Sequence, residues 1–278
     1  MKAGDEYLHS LYSLEGQVAV VTGGTGVLGR AMAMALAMAG ARVGILGRRA
    51  AAAEEVASAI EAQGGEALAI PADVLDRDSL SIALDKLLKR WGAAHTLVNA
   101  AGGNLPAAIV PDDADVFAMS DSAFQEVLGL NLTGTLLPCL VFGEAIAKSG
   151  GGSIVNVSSM ASARALTRTA GYGAAKAAVD NLTRWLAVEL GKRHGDSIRV
   201  NAIAPGFFVG DQNRALLLEA DGTPTERGRR IIAHTPAGRF GEASELAGAL
   251  VWLCGPGARF VNGIVLPVDG GFSAFSGV

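Results

Sequence analysis

Short, continuous apolar runs alternate along this chain with longer stretches of helical periodicity. The apolar runs fall near 17–22, 42–46, 66–70, 95–99, 153–157, 198–203 and 264–268, and helical patterns near 27–39, 50–63, 77–91, 120–148, 171–194 and 242–254. Strands that do not alternate polar with apolar positions are buried on both faces. Interleaved with helices, they predict an α/β fold: a doubly wound parallel sheet of about seven strands with helices on both faces. Two stretches interrupt the alternation. Leu105 to Ser120 is a Pro- and Asp-containing insertion after the fourth strand, and Phe207 to Phe240 is a long segment after the sixth, with Gly210, Gly222, Pro224, Gly228 and Pro236. Both follow strand C-termini, the edge where such sheets bind ligands. Residues 1–13 read as a loose N-terminal arm, leaving 14–278 as one domain, with 207–240 as its substrate loop.

Composition narrows the classes. Half of the 278 residues are hydrophobic, enough for one large domain with a sizeable core. A net charge of −4 without a long basic run argues against nucleic acid or an anionic membrane surface as partner. Cys139 and Cys254 lack ligand-like spacing and read as core thiols of a reduced cytoplasm. The four histidines show no metal-site pattern, so no metal is expected. The first 13 residues carry Lys2, Asp5 and Glu6, against a signal peptide, and no run reaches the roughly 18 consecutive apolar residues of a membrane span.

The first apolar run, Gln17 to Thr22, leads directly into Gly23-Gly24-Thr25-Gly26-Val27-Leu28-Gly29, and a helix-forming stretch follows to Gly40. Strand, glycine turn, helix is the layout in which backbone amides at a helix N-terminus receive a pyrophosphate. Gly24-x-Gly26-x-x-Gly29 has the dinucleotide spacing, with the required context on both sides. A second cluster promises proton transfer. Tyr172 and Lys176 stand four residues apart on one predicted helix face, and an ammonium beside a phenol favours the phenolate, which predicts a Tyr172 pKa below the usual value of about 10. Ser159, at the end of Ile154-Val-Asn-Val-Ser-Ser159, is placed to reach the same reacting oxygen.

These segments resemble the short-chain dehydrogenase/reductase family from about Leu14 onward. The landmarks stand in order: Thr22-Gly23 to Gly29, Ala72-Asp73-Val74, Val98-Asn99-Ala100-Ala101-Gly102, Asn131, Ser159, Tyr172-x-x-x-Lys176, Pro205-Gly206 and Val268-Asp269-Gly270-Gly271. The resemblance implies a single-domain Rossmann fold and nicotinamide-dependent oxidation or reduction. It implies that Tyr172 is the acid/base, that Lys176 holds the nicotinamide ribose, that Ser159 bonds the substrate oxygen, and that Asn131 kinks its helix and holds a water linking Lys176 to solvent. Cofactor contacts are implied at Gly23, Thr25, Val27, Leu28, Gly47, Arg48, Asp73, Val74, Asn99, Ala101, Tyr172, Lys176, Pro205, Gly206 and Phe208. Family members are usually tetramers or dimers, which implies a homo-oligomer, here a homotetramer.

Three departures bear on the cofactor. Gly47 stands where NAD-preferring members carry an Asp, and Arg48 beside it suits a 2′-phosphate, which favours NADP(H) over NAD(H). Thr25 is not the basic residue many NADP-dependent members carry. Val27 replaces a customary Gly of the turn, and Gly210 replaces the Thr whose hydroxyl often holds the carboxamide.

For the substrate, the Gly-Val-Leu-Gly turn, Ala101-Gly102-Gly103-Asn104, the stretch from Ala204 to Leu217 and the ending from Pro267 to Val278 resemble the D-mannonate oxidoreductases, or fructuronate reductases. That implies D-fructuronate/D-mannonate interconversion. A dehydrogenase of a related sugar acid (gluconate at C5) or of a polyol is the alternative. A dinucleotide-binding protein without chemistry is disfavoured, because Asn131, Ser159, Tyr172 and Lys176 are all present. A sugar acid needs a cationic anchor for its carboxylate. Arg164 and Arg168 lie between Ser159 and Tyr172 with no acidic residue among them, so they are the expected contacts, with Asn104 and Arg214 as secondary ones.

Overall fold

Seven parallel strands form the sheet of the computed structural model, which describes residues 3–111, 113–210 and 213–278. In chain order the elements are α1 (Ala3–Tyr12), β1 (Val18–Thr22), α2 (Val27–Met38), β2 (Arg42–Gly47), α3 (Ala50–Glu61), β3 (Glu66–Pro71), α4 (Arg77–Trp91) and β4 (Thr96–Asn99). There follow α5 (Asp121–Leu128), α6 (Gly134–Lys148), β5 (Gly152–Val157), α7 (Ala170–His194), β6 (Ile198–Pro205), α8 (Arg214–Leu217), α9 (Glu226–Ala233), α10 (Ala247–Cys254) and β7 (Val265–Val268). The strand order is β3-β2-β1-β4-β5-β6-β7. The order of strand addition reverses between β1 and β4, and the crevice at that switch point is where such sheets take dinucleotides.

Every residue of β1, β4 and β6 is buried, as strands covered on both faces require. On one face Met32 and Leu36 of α2, Val56 and Ile60 of α3, and Leu250 and Leu253 of α10 close over Val21, Val43 and Ile45. On the other, Leu80 and Leu87 of α4, Phe142 and Ile146 of α6, and Leu186 of α7 cover Val20, Leu97 and Ile154. Local chemistry sets the ends. Asp76 caps α4 by accepting from the Asp78 and Ser79 amides, and Gly92 ends it in the left-handed conformation (φ 78°).

The expected strands and the six expected helices form, most with shifts of a residue or two; the one expected over 242–254 opens with a 3-10 turn at Ala243–Leu246 and is α-helical only from Ala247. Within 120–148 the helix passes through a π turn at Gly129–Thr133, the kink expected at Asn131. By length and composition Asp121–Lys148 would pass as a membrane span, but 56% of its apolar window is buried inside the protein. It is a core helix against the sheet.

Three expectations change. The loose N-terminal arm is helical: α1 packs on the turn at Pro256–Ala258, and Leu14 beyond it is fully buried. The segment after β6 holds α8 and α9, because the Thr225 side chain caps α9 by accepting from the Gly228 amide. The insertion after β4 carries short 3-10 turns at Pro106–Ala108 and Val116–Ala118. Met1, Lys2, Asp112 and, in the expected substrate loop, Asp211 and Gln212 lie outside the described residues.

Candidate active site

The glycine turn meets the loop after β4 at close quarters. Gly23 is left-handed (φ 63°), and a Cβ there would stand 2.7 Å from Ala100 O and Ala101 N, so only glycine lets the two backbones touch. Thr22 fixes the loop: its carbonyl accepts from the Ala100 amide and its hydroxyl from the Ala101 amide. At Gly29 a Cβ would lie 2.2 Å from Gly23 O. Gly26 precedes α2 without a side-chain cap, so the first-turn amides at Val27 and Leu28 remain for an anion.

β2 ends beside this turn. Gly47 is buried, Arg48 is exposed, and a Cβ on Gly47 would lie 3.0 Å from Thr25 Cγ2 and 3.1 Å from its Oγ1. Thr25 thus fills the space where an acidic residue on β2 would start. Asp73 and Val74 follow β3 next door; the Ala72 amide donates to Gly47 O, and Asp73 accepts from the Leu75 amide. Pro205 ends β6, the Gly206 amide donates to Val268 O, and buried Phe208 bridges to Gly241. Gly210 packs toward Val27, its amide held by Asn213 Oδ1. Asn213 also donates to Phe208 O and so shapes the loop in which the customary Thr is missing. Asn99, the last residue of β4, is buried, and its Nδ2 donates to Asn156 Oδ1 at 2.9 Å and to Cys139 Sγ.

The four proton-transfer residues converge at the ends of β4 and β5. Ser159 hydrogen-bonds Tyr172. Lys176 lies 5.6 Å from the Tyr172 ring centre and donates to Val157 O at 2.8 Å. Asn131 Nδ2 donates to Gly103 O (2.7 Å) and to Val127 O (2.9 Å), and its Oδ1 accepts from the Gly103 amide (3.0 Å). The π turn explains the second of these bonds, since an inserted residue leaves an i−4 carbonyl for a side chain. Asn131 thereby ties α5–α6 to the loop after β4, and Gly102 admits it: a Cβ there would lie 2.7 Å from Asn131 Oδ1 and 3.2 Å from Lys176 Nζ.

The electrostatics correct one expectation. Lys176 does not pull Tyr172 down; burial pushes the Tyr172 pKa up, and the hydrogen bond with Ser159 opposes this only in part. Tyr172 is half-buried as a residue, and desolvation is the larger effect on its hydroxyl. Lys176, 3% exposed, is itself pushed down to about 8 by burial, against the influence of Asp180. Desolvation outweighs the attraction of an ammonium that stands over the ring and bonds a carbonyl.

The two expected carboxylate anchors bond backbone carbonyls. Exposed Arg164 donates through Nε and Nη2 to Ser273 O. Arg168 adopts φ 73° and exchanges bonds with Val110, donating through Nε to its carbonyl (3.1 Å) and accepting from its amide. Both line a cavity of about 710 Å³ with Ala161, Ser162, Gly173 and Ala177. Arg214 is exposed at the start of α8. Asn104 remains next to the chemistry, on the loop held by Asn131, with its Oδ1 accepting from the Leu105 amide.

Residues 25–273 match the family model described as enoyl-(acyl carrier protein) reductase. The chain belongs to the short-chain dehydrogenase/reductase family. As such it is an NAD(P)-dependent oxidoreductase. It is 45% identical over 275 residues to the uncharacterized oxidoreductase UxuB of Bacillus subtilis, covering 96% of this chain and 98% of the relative. A candidate D-mannonate oxidoreductase from Haemophilus influenzae, solved with bound NAD, superposes at a TM-score of 0.89 with 40% identity over 98% of this chain and all of that one. A candidate NAD(P)-dependent gluconate 5-dehydrogenase from Beutenbergia cavernae, with NADP at low occupancy, gives 0.82 and 37% over 95% and 99%.

The residues present fit a nicotinamide dinucleotide. Gly23 and Gly29 let the turn close on itself and on Ala100–Ala101, which leaves the start of α2 without a side-chain cap at the place an anion would take. Sequence reading missed two residues of this short-chain dehydrogenase/reductase site: Asp180, one turn beyond Lys176, and Ser158, bonded to it. The four-residue spacing from Lys176 was the available signal.

Proposed function

We propose that this enzyme interconverts a keto and a hydroxy sugar acid, D-fructuronate and D-mannonate. The juxtaposition of Ser159, Tyr172 and Lys176 beside the glycine cradle carries the reading, and the 40% identity to the Haemophilus influenzae protein supports the substrate. The cofactor supplies or accepts the hydride. Tyr172, protonated at neutral pH because burial raises its pKa, gives its proton to the carbonyl oxygen during reduction. Ser159 holds that oxygen as charge develops on it. Lys176 holds the nicotinamide ribose, and Asn131 fixes the loop that closes this end of the site. Gly23, Thr25, Val27 and Leu28 would receive the pyrophosphate, with Asp73, Val74, Ala101, Pro205, Gly206 and Phe208 bordering the bound dinucleotide. Gly47 and exposed Arg48 favour a 2′-phosphate, hence NADP(H). Of the expected substrate contacts, Asn104 is the best placed.

A dehydrogenase acting at C5 of gluconate is the second reading, favoured by the 37% identity to the Beutenbergia cavernae protein. The enzyme is inferred to work as a homotetramer in the cytoplasm. Exposed Leu140, Trp185 and Val188 on α6 and α7 support self-association, and the two buried free thiols support a reduced compartment. The test is absorbance at 340 nm with D-fructuronate, 5-keto-D-gluconate and a polyol panel, each with both cofactors. Turnover on a polyol in preference to every acid overturns the sugar-acid reading. Tyr172→Phe should lower turnover by roughly 10²–10⁴-fold with cofactor binding intact.

A further inference from the structure

The end of β5 and one face of α7 are joined at three successive positions. Val157 offers its carbonyl to Lys176, Ser158 gives its hydroxyl to Asp180 Oδ1, and Ser159 meets Tyr172. On α7 the three partners recur every fourth residue and so share a face. The proposed chemistry uses the first and third contacts and leaves the second without a role. Yet Ser158 and Asp180 are 2% and 7% exposed, and a carboxylate at that depth is costly unless it is paired and hydrogen-bonded.

We propose that Asp180, held by Ser158, is the counter-charge that keeps Lys176 cationic in its buried position, and is thereby a positioning residue for proton transfer. Lys176 donates through Nζ to the Val157 carbonyl, which accepts the hydrogen bond but carries no net charge. Beside the Val157 carbonyl, the neighbours of Lys176 include Gly102 on the loop after β4 and the Tyr172 ring on its own helix. Tyr172 stays neutral because burial raises its pKa, and the Cys139 thiol behind the sheet is pushed up to about 12. Asp180 is the charge that opposes the desolvation of Lys176. Ser158 orients the carboxylate by the same strand end that presents Ser159, so the charge and the proton donor are set by one backbone segment.

The catalytic consequence rests on the reaction proposed above; the charge pairing does not, and the experiment separates them. The chain has six lysines, so [ε-¹³C]lysine NMR can follow each, with Lys176→Met identifying the signal. Asp180→Asn retains an oxygen for the Ser158 hydroxyl and removes the charge. It should lower the Lys176 midpoint by about 1–3 pH units, the usual effect of a nearby opposite charge. Asp180→Ser reads the same effect should the Asn variant fail to fold, and Asp180→Glu should restore the midpoint. A folded neutral variant with an unmoved midpoint overturns the proposal. In a second arm, with whichever substrate turns over, the Lys176 limb of the kcat/KM profile should move down by the same amount. Failure of that arm alone removes the role in turnover and leaves the pairing.

Discussion

A single methyl at Gly102 measures how tightly the site is assembled. Alanine there would place Cβ 2.7 Å from Asn131 Oδ1 and 3.2 Å from Lys176 Nζ, well inside the roughly 3.5–4.0 Å of a comfortable non-bonded contact. Either the loop retreats from α5–α6 or both side chains give way. The bonds at stake are the Gly103–Asn131 pair at 3.0 and 2.7 Å and the Lys176–Val157 bond at 2.8 Å. Overpacking costs about 1–3 kcal/mol, and a lost neutral hydrogen bond adds about 1 kcal/mol. Gly102→Ala should therefore lose about 2–4 kcal/mol, which for a domain of this size lowers Tm by roughly 4–12 °C. Near-UV circular dichroism during a thermal ramp reads it. Gly248→Ala is the control: nothing lies within 4 Å of its added Cβ, so Tm should hold or rise slightly, since Gly→Ala at a compatible site gains about 0.4–1 kcal/mol. Turnover should fall with Gly102→Ala as well, because Lys176 is displaced at the chemistry. A Gly102→Ala protein that melts within about 1 °C of the parent and turns over at the parental rate would refute the close packing of loop, Asn131 and Lys176.

Arg199, 7% exposed, donates to Leu253 O at 2.8 Å and to Cys254 O and Gly255 O at the end of α10; Arg199→Met should cost about 2–3 kcal/mol in urea unfolding, because the freed carbonyls lose a charged donor. His95 accepts the Val18 amide on Nδ1, and burial followed by the Arg42 charge lowers its pKa below 6.5. The unfolded chain therefore takes up the proton first on acidification: the stability is present above about pH 6.5 and is lost as pH falls through the folded-state pKa. His95→Asn should flatten the acid side of a Tm-versus-pH curve, and an unchanged slope would assign the acid sensitivity elsewhere. Gly47→Asp should weaken both cofactors by itself, because its Cβ meets Thr25 at 3.0 Å, whereas Gly47→Asp with Thr25→Ala should shift preference to NAD in fluorescence titrations; a single variant that already prefers NAD would show Thr25 to be no obstacle.

Much of this molecule is legible from its pattern. Parallel strands covered on both faces are apolar at most positions, and helices repay their ordering by burying one face, so runs such as Val18–Thr22 and Val27–Met38 declare themselves. Arm and loops were less legible. Residues 3–12 pack as a helix against the turn at Pro256–Ala258 and against α10, contacts more than two hundred residues away in sequence. The helix through Asn131 reads as continuous; a kink there was expected only through the family likeness, and its form, a π turn, was not foreseen.

The sequence by itself determined the strand and helix alternation, the glycine turn and the four-residue spacing of Tyr172 and Lys176, because each is a local consequence of backbone geometry and side-chain type. Tertiary structure alone decided the charge states and directions of those side chains. Burial raised Tyr172 and lowered Lys176 against the expected pairing, brought Asp180 into play through Ser158, and turned Arg164 and Arg168 to the carbonyls of Ser273 and Val110. Desolvation and hydrogen-bond partnership depend on what the rest of the chain packs around a residue, and no spacing along the sequence encodes that.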